Sequence, residues 1–205
     1  MFADGRIVFS EMWSWSTTMF EAKFGAAPTM AITLDATDPR RPAIAALAAA
    51  TLRALPTPGA TAFHIEFFDA AAGIVVNEAA SRIGGGRIQP TLRRLHGVDL
   101  VELTARYQGD SSPGTIVPHR AAPTAGFLLA YDHAGLRGPA PAECPLPGIS
   151  HYETVLPLAT GPTPEVASSA YLLSGIALGD SREETEQRLL ALYGWFVDSL
   201  TSVER

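Results

Sequence analysis

The sequence predicts an α+β fold, with helices packed on an antiparallel sheet, followed by a small β-rich C-terminal lobe and a terminal helix. Short segments with β-branched or alternating residues recur along the chain, and helical segments with clear start and stop signals separate them. Its 205 residues can form one sizeable domain with a smaller one beside it. We therefore expect two units, at residues 1-110 and 120-205.

The composition limits the classes of partner. Apolar residues make up 47% of the chain and charged residues 18%, as in an ordinary globular protein. The net charge of -6 comes from scattered acids, and no run of Lys or Arg indicates a nucleic-acid partner. No signal peptide or membrane-spanning run is present, so we expect a cytoplasmic protein without a membrane partner. Cys144, the single cysteine, excludes an internal disulfide, and we expect an unreactive thiol.

The N-terminal third predicts two strands and a helix. Residues 6-10 and 29-34 are short and rich in β-branched residues, which is typical of strands, and residues 11-28 between them are expected to form a loop. The helix that follows has Asp38 as its expected N-cap and Pro39 at its first position.

The middle of the chain predicts a β-hairpin followed by a pair of helices. The run ATAFHIEFFDAAAGIVVNEAA alternates on both sides of a short turn, as an antiparallel hairpin does. Three glycines at residues 84-86 suit a backbone that takes unusual dihedral angles or approaches a ligand closely. The segments QPTLRRLHG and VDLVELTARYQG indicate helices that stop at Gly97 and Gly109.

The last third predicts three more strands and the terminal helix. Residues 110-123 read as a connector, and the segments AGFLLAY, ISHYETVLP and SSAYLLSGIALG are typical of strands. Ser181 and Glu184 form a capping-box pattern at the start of the final helix, whose apolar residues form a broad face.

The hairpin places two carboxylates together. Strand alternation puts His64 and Glu66 on one face, while Phe63, Ile65 and Phe67 lie on the other, where we expect them to form core. For a turn at residues 71-72, Glu78 falls on the face of Glu66, directly opposite or one step diagonal. Their Cβ atoms would then be roughly 5 to 8 Å apart.

Two neighbouring carboxylates repel each other unless a cation lies between them. Mg²⁺ is a hard ion that proteins hold with one or two carboxylates, together with phosphate oxygens and waters. Arg82, four residues after Glu78, could grip a carboxylate or an acyl phosphate with two hydrogen bonds. Gly84 and Gly85 would let main-chain donors approach the same ligand. The residues alone also allow a plainer interpretation. In it, the two acids and the arginine pair with one another on a solvated hairpin face, and His64 is a packed or surface histidine and not a ligand.

The run from Phe63 to Leu100 resembles the metal site of the ATP-grasp superfamily. The resemblance is carried by a strand with Glu66, a second strand with Glu78, then Arg82, a glycine run and the G-x-D-L pattern at residues 97-100. The DG-x-hydrophobic start at residues 4-8 and the terminal Trp195-Phe196 pair are similar too. The match is good over residues 3 to 108 and is strongest to the biotin-carboxylase-like and carboxylate-amine ligase groups.

This resemblance implies that residues 1-110 are an ATP-grasp C-terminal subdomain with a metal site, and that residues 120-205 are a small C-terminal lobe. It implies Mg²⁺ or Mn²⁺ with ATP as cofactor, held by Glu66 and Glu78, and a small carboxylate and an amine as substrates. It implies Arg82 as the catalytic contact to the carboxylate or acyl phosphate, and Gly84 and Gly85 as cofactor-binding residues.

Three departures from the family pattern affect what can be carried over. Ala80 stands where many relatives have an asparagine ligand, and Ser81 replaces a frequent proline. Asn77 would point to the opposite face of an ideal strand. Lys23, the only lysine, cannot replace the paired phosphate-binding lysines of the nucleotide lobe. We expect that lobe to be missing from this sequence and to come from a further segment or a partner chain, and we expect a homodimer as the other possible association.

Three functions follow as hypotheses. The first is the C-terminal part of an ATP-dependent carboxylate-amine ligase that acts through an acyl phosphate. The second is a truncated, non-catalytic binding or interaction module derived from such a ligase. The third is a small metal-dependent hydrolase using His64, Glu66 and Glu78, although no HExxH-type spacing supports it.

Overall fold

The computed structural model describes residues 1–17, 21, 27–57, 59–109, 119–131, 140–154 and 171–201. It confirms the α+β class with antiparallel sheets. The helices are α1 (Arg41–Ala54), α2 (Ile88–His96), α3 (Leu100–Gln108) and α4 (Arg182–Thr201). The strands are β1 (Phe2–Ala3), β2 (Arg6–Ile7), β3 (Trp13–Trp15), β4 (Thr29–Thr33), β5 (Ala60–Thr61), β6 (His64–Ala70), β7 (Gly73–Ala80), β8 (Thr124–Tyr131), β9 (Ile149–Thr154) and β10 (Tyr171–Gly179).

A five-stranded antiparallel sheet in the order β3-β4-β8-β10-β9 organises the molecule. Its β3 lies within residues 11-28, where a loop was expected, so that prediction is wrong at Trp13–Trp15. The indole rings of Trp13 and Trp15 pack on Phe127, which explains why this polar aromatic stretch joins the sheet. The sheet draws strands from both predicted units, and the division at residues 110 to 120 stays a prediction.

The two faces of this sheet carry separate cores, because alternate side chains point to opposite sides. Helix α4 covers one face, where Ile32, Leu128 and Leu173 pack on Leu189 and Phe196. The other face is covered by α2 and the N-terminal segment. That second core includes Ala3, Phe9, Ile88, Leu92, Phe127, Leu129 and Ile176.

The first helix starts later than its sequence signals indicate. Helix α1 begins at Arg41 with Arg40 as its N-cap, so the prediction of Asp38 as N-cap and Pro39 as first position is wrong. Asp38 instead accepts hydrogen bonds from the backbone nitrogen and the Nε of Arg40, both at 2.9 Å. The Asp38 carboxylate is thus bonded to Arg40 and does not cap the helix. Pro42, and not Pro39, lies in the first turn.

The helix pair and the terminal helix follow their sequence signals. Gly97 ends α2 with a left-handed φ of 66°, and the Asp99 side chain caps α3 by accepting from the backbone nitrogens of Val101 and Glu102. At α4 the backbone nitrogen of Glu184 donates to the Ser181 hydroxyl at 3.2 Å. None of the helices in the described ranges is long and apolar enough to cross a membrane.

Candidate functional site

The predicted hairpin forms, and it brings the two glutamates face to face. Strands β6 and β7 pair around a two-residue turn, and Glu66 lies directly opposite Glu78 in their register. Both carboxylates are in contact with solvent, with 43% of the Glu66 side chain and 53% of the Glu78 side chain exposed. Like charges in directly opposite positions destabilise a strand pair, so this arrangement is costly without a cation.

A β-bulge changes the position expected for Asn77. The register shifts between Glu66 and Phe67, where two residues of β7 oppose one of β6. The amide Nδ2 of Asn77 consequently donates to Oε2 of Glu66 at 3.1 Å. The expectation that Asn77 points to the opposite face is therefore wrong, because it assumed an ideal strand.

Arg82 and His64 flank the carboxylates. The Nη2 of Arg82 lies 3.8 Å from Oε1 of Glu78, a loose ion pair with both side chains half exposed. The Nε2 of His64 lies 3.2 Å from Oε1 of Glu66 on the same strand face. In the described part of the chain, no group of three or more His, Cys, Asp or Glu side chains forms a potential metal site, which gives the hydrolase hypothesis no support.

The apolar residues of the hairpin do not form the core expected of them. Phe63, Ile65 and Phe67 are only partly buried, because the main core lies on the five-stranded sheet instead. On the carboxylate face, Phe68 is 56% exposed and is paired with the exposed Val75. This face therefore presents two acids beside an uncovered apolar pair.

The glycine segment joins the hairpin to the five-stranded sheet. A Cβ on Gly84 would lie 2.8 Å from Nδ1 of His64 and 2.6 Å from Cδ1 of Ile88, so only glycine fits between hairpin and helix α2 without a shift. Gly85 has no atom within 4 Å of such a Cβ, which leaves space beside its backbone. The fold thus requires Gly84 for close packing, whereas Gly85 borders open space.

A second polar cluster lies just beyond the glycines, and no local sequence pattern predicted it. Arg87 donates from Nε to the buried Ser174 hydroxyl at 3.0 Å and from Nη2 to the Tyr171 hydroxyl at 2.5 Å. Its Nη2 also pairs with Glu153, whose carboxylate lies 3.3 Å from Nε2 of His151. The partners are more than sixty residues away in sequence, so only the position of Arg87 after the glycine run could have drawn attention to it.

Neither protein-family profiles nor curated protein sequences match this chain. Solved structures do match it in three dimensions. Phosphoribosylglycinamide synthetase from Anaerococcus prevotii superimposes with a TM-score of 0.69 at 10% sequence identity, over 94% of this chain and 49% of that one. L-amino acid ligase from Bacillus licheniformis gives a TM-score of 0.57 at 17% identity, over 80% of this chain and 44% of that one.

The third structure is the biotin carboxylase domain dimer of 2-oxoglutarate carboxylase from Hydrogenobacter thermophilus, in complex with MgADP, ADP and bicarbonate. It matches with a TM-score of 0.55 at 17% identity, over 80% of this chain and 37% of that one. The chain therefore spans about half the length, or less, of the structures it resembles. The ATP-grasp resemblance is confirmed at the level of the fold. The chain corresponds to part of the ATP-grasp architecture.

Proposed function

We propose that this chain is the metal- and substrate-binding C-terminal part of an ATP-dependent carboxylate-amine ligase. A lobe outside this sequence, from a further segment or a partner chain, would complete the nucleotide site. The observation that supports this proposal is the direct opposition of Glu66 and Glu78 on an exposed hairpin face. The structural neighbours include ATP-dependent ligases, which supports the same general kind of chemistry.

The donor set of the hairpin face fits a hard divalent cation. Glu66 and Glu78 provide carboxylate oxygens. Asn77 lies beside them and donates from its amide nitrogen to Glu66, and we propose that in the metal-bound state its amide turns so that its oxygen becomes a ligand in place of the asparagine missing at Ala80. When bound with ATP, Mg²⁺ or Mn²⁺ would neutralise the phosphate charges.

Arg82 and the glycines would act on the substrate. In the proposed reaction, the terminal phosphoryl group of ATP passes to a carboxylate, giving an acyl phosphate and ADP. An amine then attacks the acyl carbon, and inorganic phosphate leaves. The Arg82 guanidinium is exposed beside Glu78, where it can stabilise negative charge on the acyl phosphate. The backbone nitrogens of Gly84 and Gly85 would serve as neutral donors, with open space beside Gly85 to admit a ligand.

A second function is supported by a different observation. The exposed apolar pair of Phe68 and Val75, with Ala80 in place of the usual asparagine, fits a non-catalytic interaction module derived from a ligase. In that case the hairpin face would bind a partner protein or a second copy of the chain through its apolar residues. This second function predicts that no ATP turnover occurs with any partner.

A turnover assay distinguishes the two functions. The chain is produced together with the polypeptide that supplies its first half, and ADP release is measured with and without carboxylate and amine substrates. The ligase proposal predicts substrate-dependent ADP release that Glu78→Ala abolishes, whereas Glu102→Gln, an exposed acid paired with Arg106 on helix α3, leaves it unchanged. Turnover that survives Glu78→Ala would contradict the assignment of the metal site.

A further inference from the structure

The cluster around Arg87 contains more positive charge than its own residues neutralise. Arg94 lies seven residues after Arg87 on helix α2, and hence near the same helix face. Burial, followed by the charge of Arg87, lowers the pKa of the Arg94 guanidinium. Within the described ranges Arg94 binds only backbone oxygens, those of Ser150 at 3.3 Å and Pro90 at 3.1 Å. Glu153 pairs with Arg87, whereas Arg94 has no acidic partner within the described ranges.

Arg87 is held in place by groups other than Glu153. The buried Ser174 hydroxyl and the Tyr171 hydroxyl each accept a hydrogen bond from it, and its guanidinium carbon lies 5.0 Å from the centre of the Tyr171 ring. These contacts fix the planar fork of donors even if Glu153 moves away. Arg87 is therefore pre-organised to receive a planar anion.

Glu153 is more exposed than Arg87, although it pairs with Arg87 and lies 3.3 Å from His151. It lies on β9, the edge strand of the five-stranded sheet, and 42% of its side chain is exposed. An exposed carboxylate on an edge strand can turn into solvent at little cost, because water replaces its lost hydrogen bonds. Its position marks where a carboxylate from a ligand would fit.

We propose that this cluster binds the carboxylate group of a small ligand, with Arg87 and Arg94 as donors and Glu153 as an internal occupant that the ligand displaces. The identity of the ligand rests on the proposed function. In the ligase it is the non-reacting carboxylate of a substrate, such as that of a dicarboxylic acid or an amino acid. A carboxylate fits better than a phosphate, because it has the charge and the planar shape of the Glu153 carboxylate that it would replace on Arg87.

The test follows the arginine side-chain Nε–H signals by NMR during titration with sodium succinate. Sodium chloride at equal ionic strength is the reference, and no metal, ATP or partner chain is present. The wild-type protein is expected to show a saturable shift of the Arg87 signal with succinate alone. Glu153→Gln removes the competing charge, so succinate should bind about fivefold more tightly. Arg94→Gln should weaken binding, whereas Arg106→Gln, a change to an exposed arginine on helix α3, should have no effect.

Several results would overturn the proposal. They are an Arg87 signal that responds equally to succinate and chloride, tighter binding of inorganic phosphate than of succinate, and binding by Glu153→Gln without binding by the wild type. The last result would make Glu153 a permanent structural partner. Arg94→Gln removes an arginine that binds only backbone oxygens in the described structure, so it tests the site while the contacts of Arg87 with Ser174 and Tyr171 remain. Failure of metal binding at Glu66 and Glu78 would leave these measurements unaffected, so the two proposals can fail separately.

Discussion

Two sets of glutamates in this molecule have opposite surroundings. Glu11 is almost completely enclosed, with 2% of its side chain exposed, and cationic groups reach it from several parts of the fold. Glu66 and Glu78 face each other in contact with solvent; Glu66 has His64 at 3.2 Å and Asn77 at 3.1 Å, and Glu78 has a loose arginine contact at 3.8 Å. The contrast separates a buried carboxylate that arginines neutralise from two exposed carboxylates whose shared negative charge is only weakly compensated.

Residues from four segments of the chain meet at Glu11. His96 from α2 donates from Nε2 at 2.6 Å, Arg120 donates at 3.1 Å and Arg41 from α1 lies at 3.5 Å. Burial alone would raise the pKa of the Glu11 carboxyl. The hydrogen bonds from His96 and from the backbone nitrogen of Met12, with the charge of Arg120, outweigh burial and lower it. Glu11 is consequently a structural ion, and its neutralisation is internal.

The largest effect that tests this contrast is expected from Glu11→Gln. The substitution leaves His96, Arg120 and Arg41 without their shared anion in a buried site, which should cost about 3 kcal/mol of unfolding free energy. Urea denaturation measures the change, with Glu102→Gln as an exposed control that should stay within about 0.5 kcal/mol of the wild type. A loss below about 1 kcal/mol for Glu11→Gln would remove the distinction between the two sets of glutamates.

The same contrast should show in the pH dependence of stability. A carboxyl whose pKa is lower in the folded state stabilises the protein above its unfolded pKa, and that contribution is lost as pH falls through the folded value. For Glu11, with an ordinary pKa of 4.5, the loss should begin as the pH drops below about 4.5. Unfolding free energies of the wild type and Glu11→Gln should therefore converge as the pH falls below about 4.5 and through the lowered folded-state pKa of Glu11. Parallel curves would show that Glu11 is not the group responsible.

A pair of glycine variants tests how tightly the hairpin is joined to the sheet. Gly84→Ala would place its Cβ 2.6 Å from Ile88 and 2.8 Å from His64, so we expect a loss of about 1 to 2 kcal/mol. Gly85→Ala meets no atom within 4 Å and should cost less than about 1 kcal/mol. Thermal unfolding of both variants measures the difference. Equal losses would mean that close packing at Gly84 does not position the hairpin.

The smallest stability effect is expected at the hairpin acids. Glu78→Gln removes a like charge directly opposite Glu66, and the loose Arg82 contact is worth little at the surface. Unfolding free energy should stay unchanged or rise by about 0.5 kcal/mol. A clear loss of stability, in denaturant titrations beside the Glu102→Gln control, would indicate that Glu78 has a structural role like that of Glu11.

Sequence patterns predicted the elements that depend on interactions between residues close together in the sequence. The alternation around residues 64-80 predicted the hairpin, its short turn and the pairing of Glu66 with Glu78. Gly97 and Asp99 predicted where α2 ends and α3 begins, because a left-handed glycine and a capping carboxylate act within one helical turn. The ATP-grasp resemblance, carried by the same run, is confirmed at the level of the fold.

Features that depend on distant contacts were not predictable. Trp13–Trp15 joins the sheet because Phe127, far along the chain, offers a surface for its rings. The bulge that turns Asn77 toward Glu66 is a property of strand pairing and leaves no mark in one sequence. Arg87 and Glu153 meet only when the start of α2 and strand β9 come together in the folded chain. The structure does not test the assignment of Glu66, Glu78, Arg82, Gly84 and Gly85 to catalysis, which stays a prediction.

The central claim is that the hairpin acids form a site for a cation, and that the buried acid does not. The most direct test is a titration of the chain with Mn²⁺, in which electron paramagnetic resonance measures the free ion. We expect weak binding by the wild type, at least tenfold weaker binding by Glu66→Gln and by Glu78→Gln, and unchanged binding by folded Glu11→Gln. If Glu66→Gln and Glu78→Gln bind Mn²⁺ as the wild type does, the claim is contradicted.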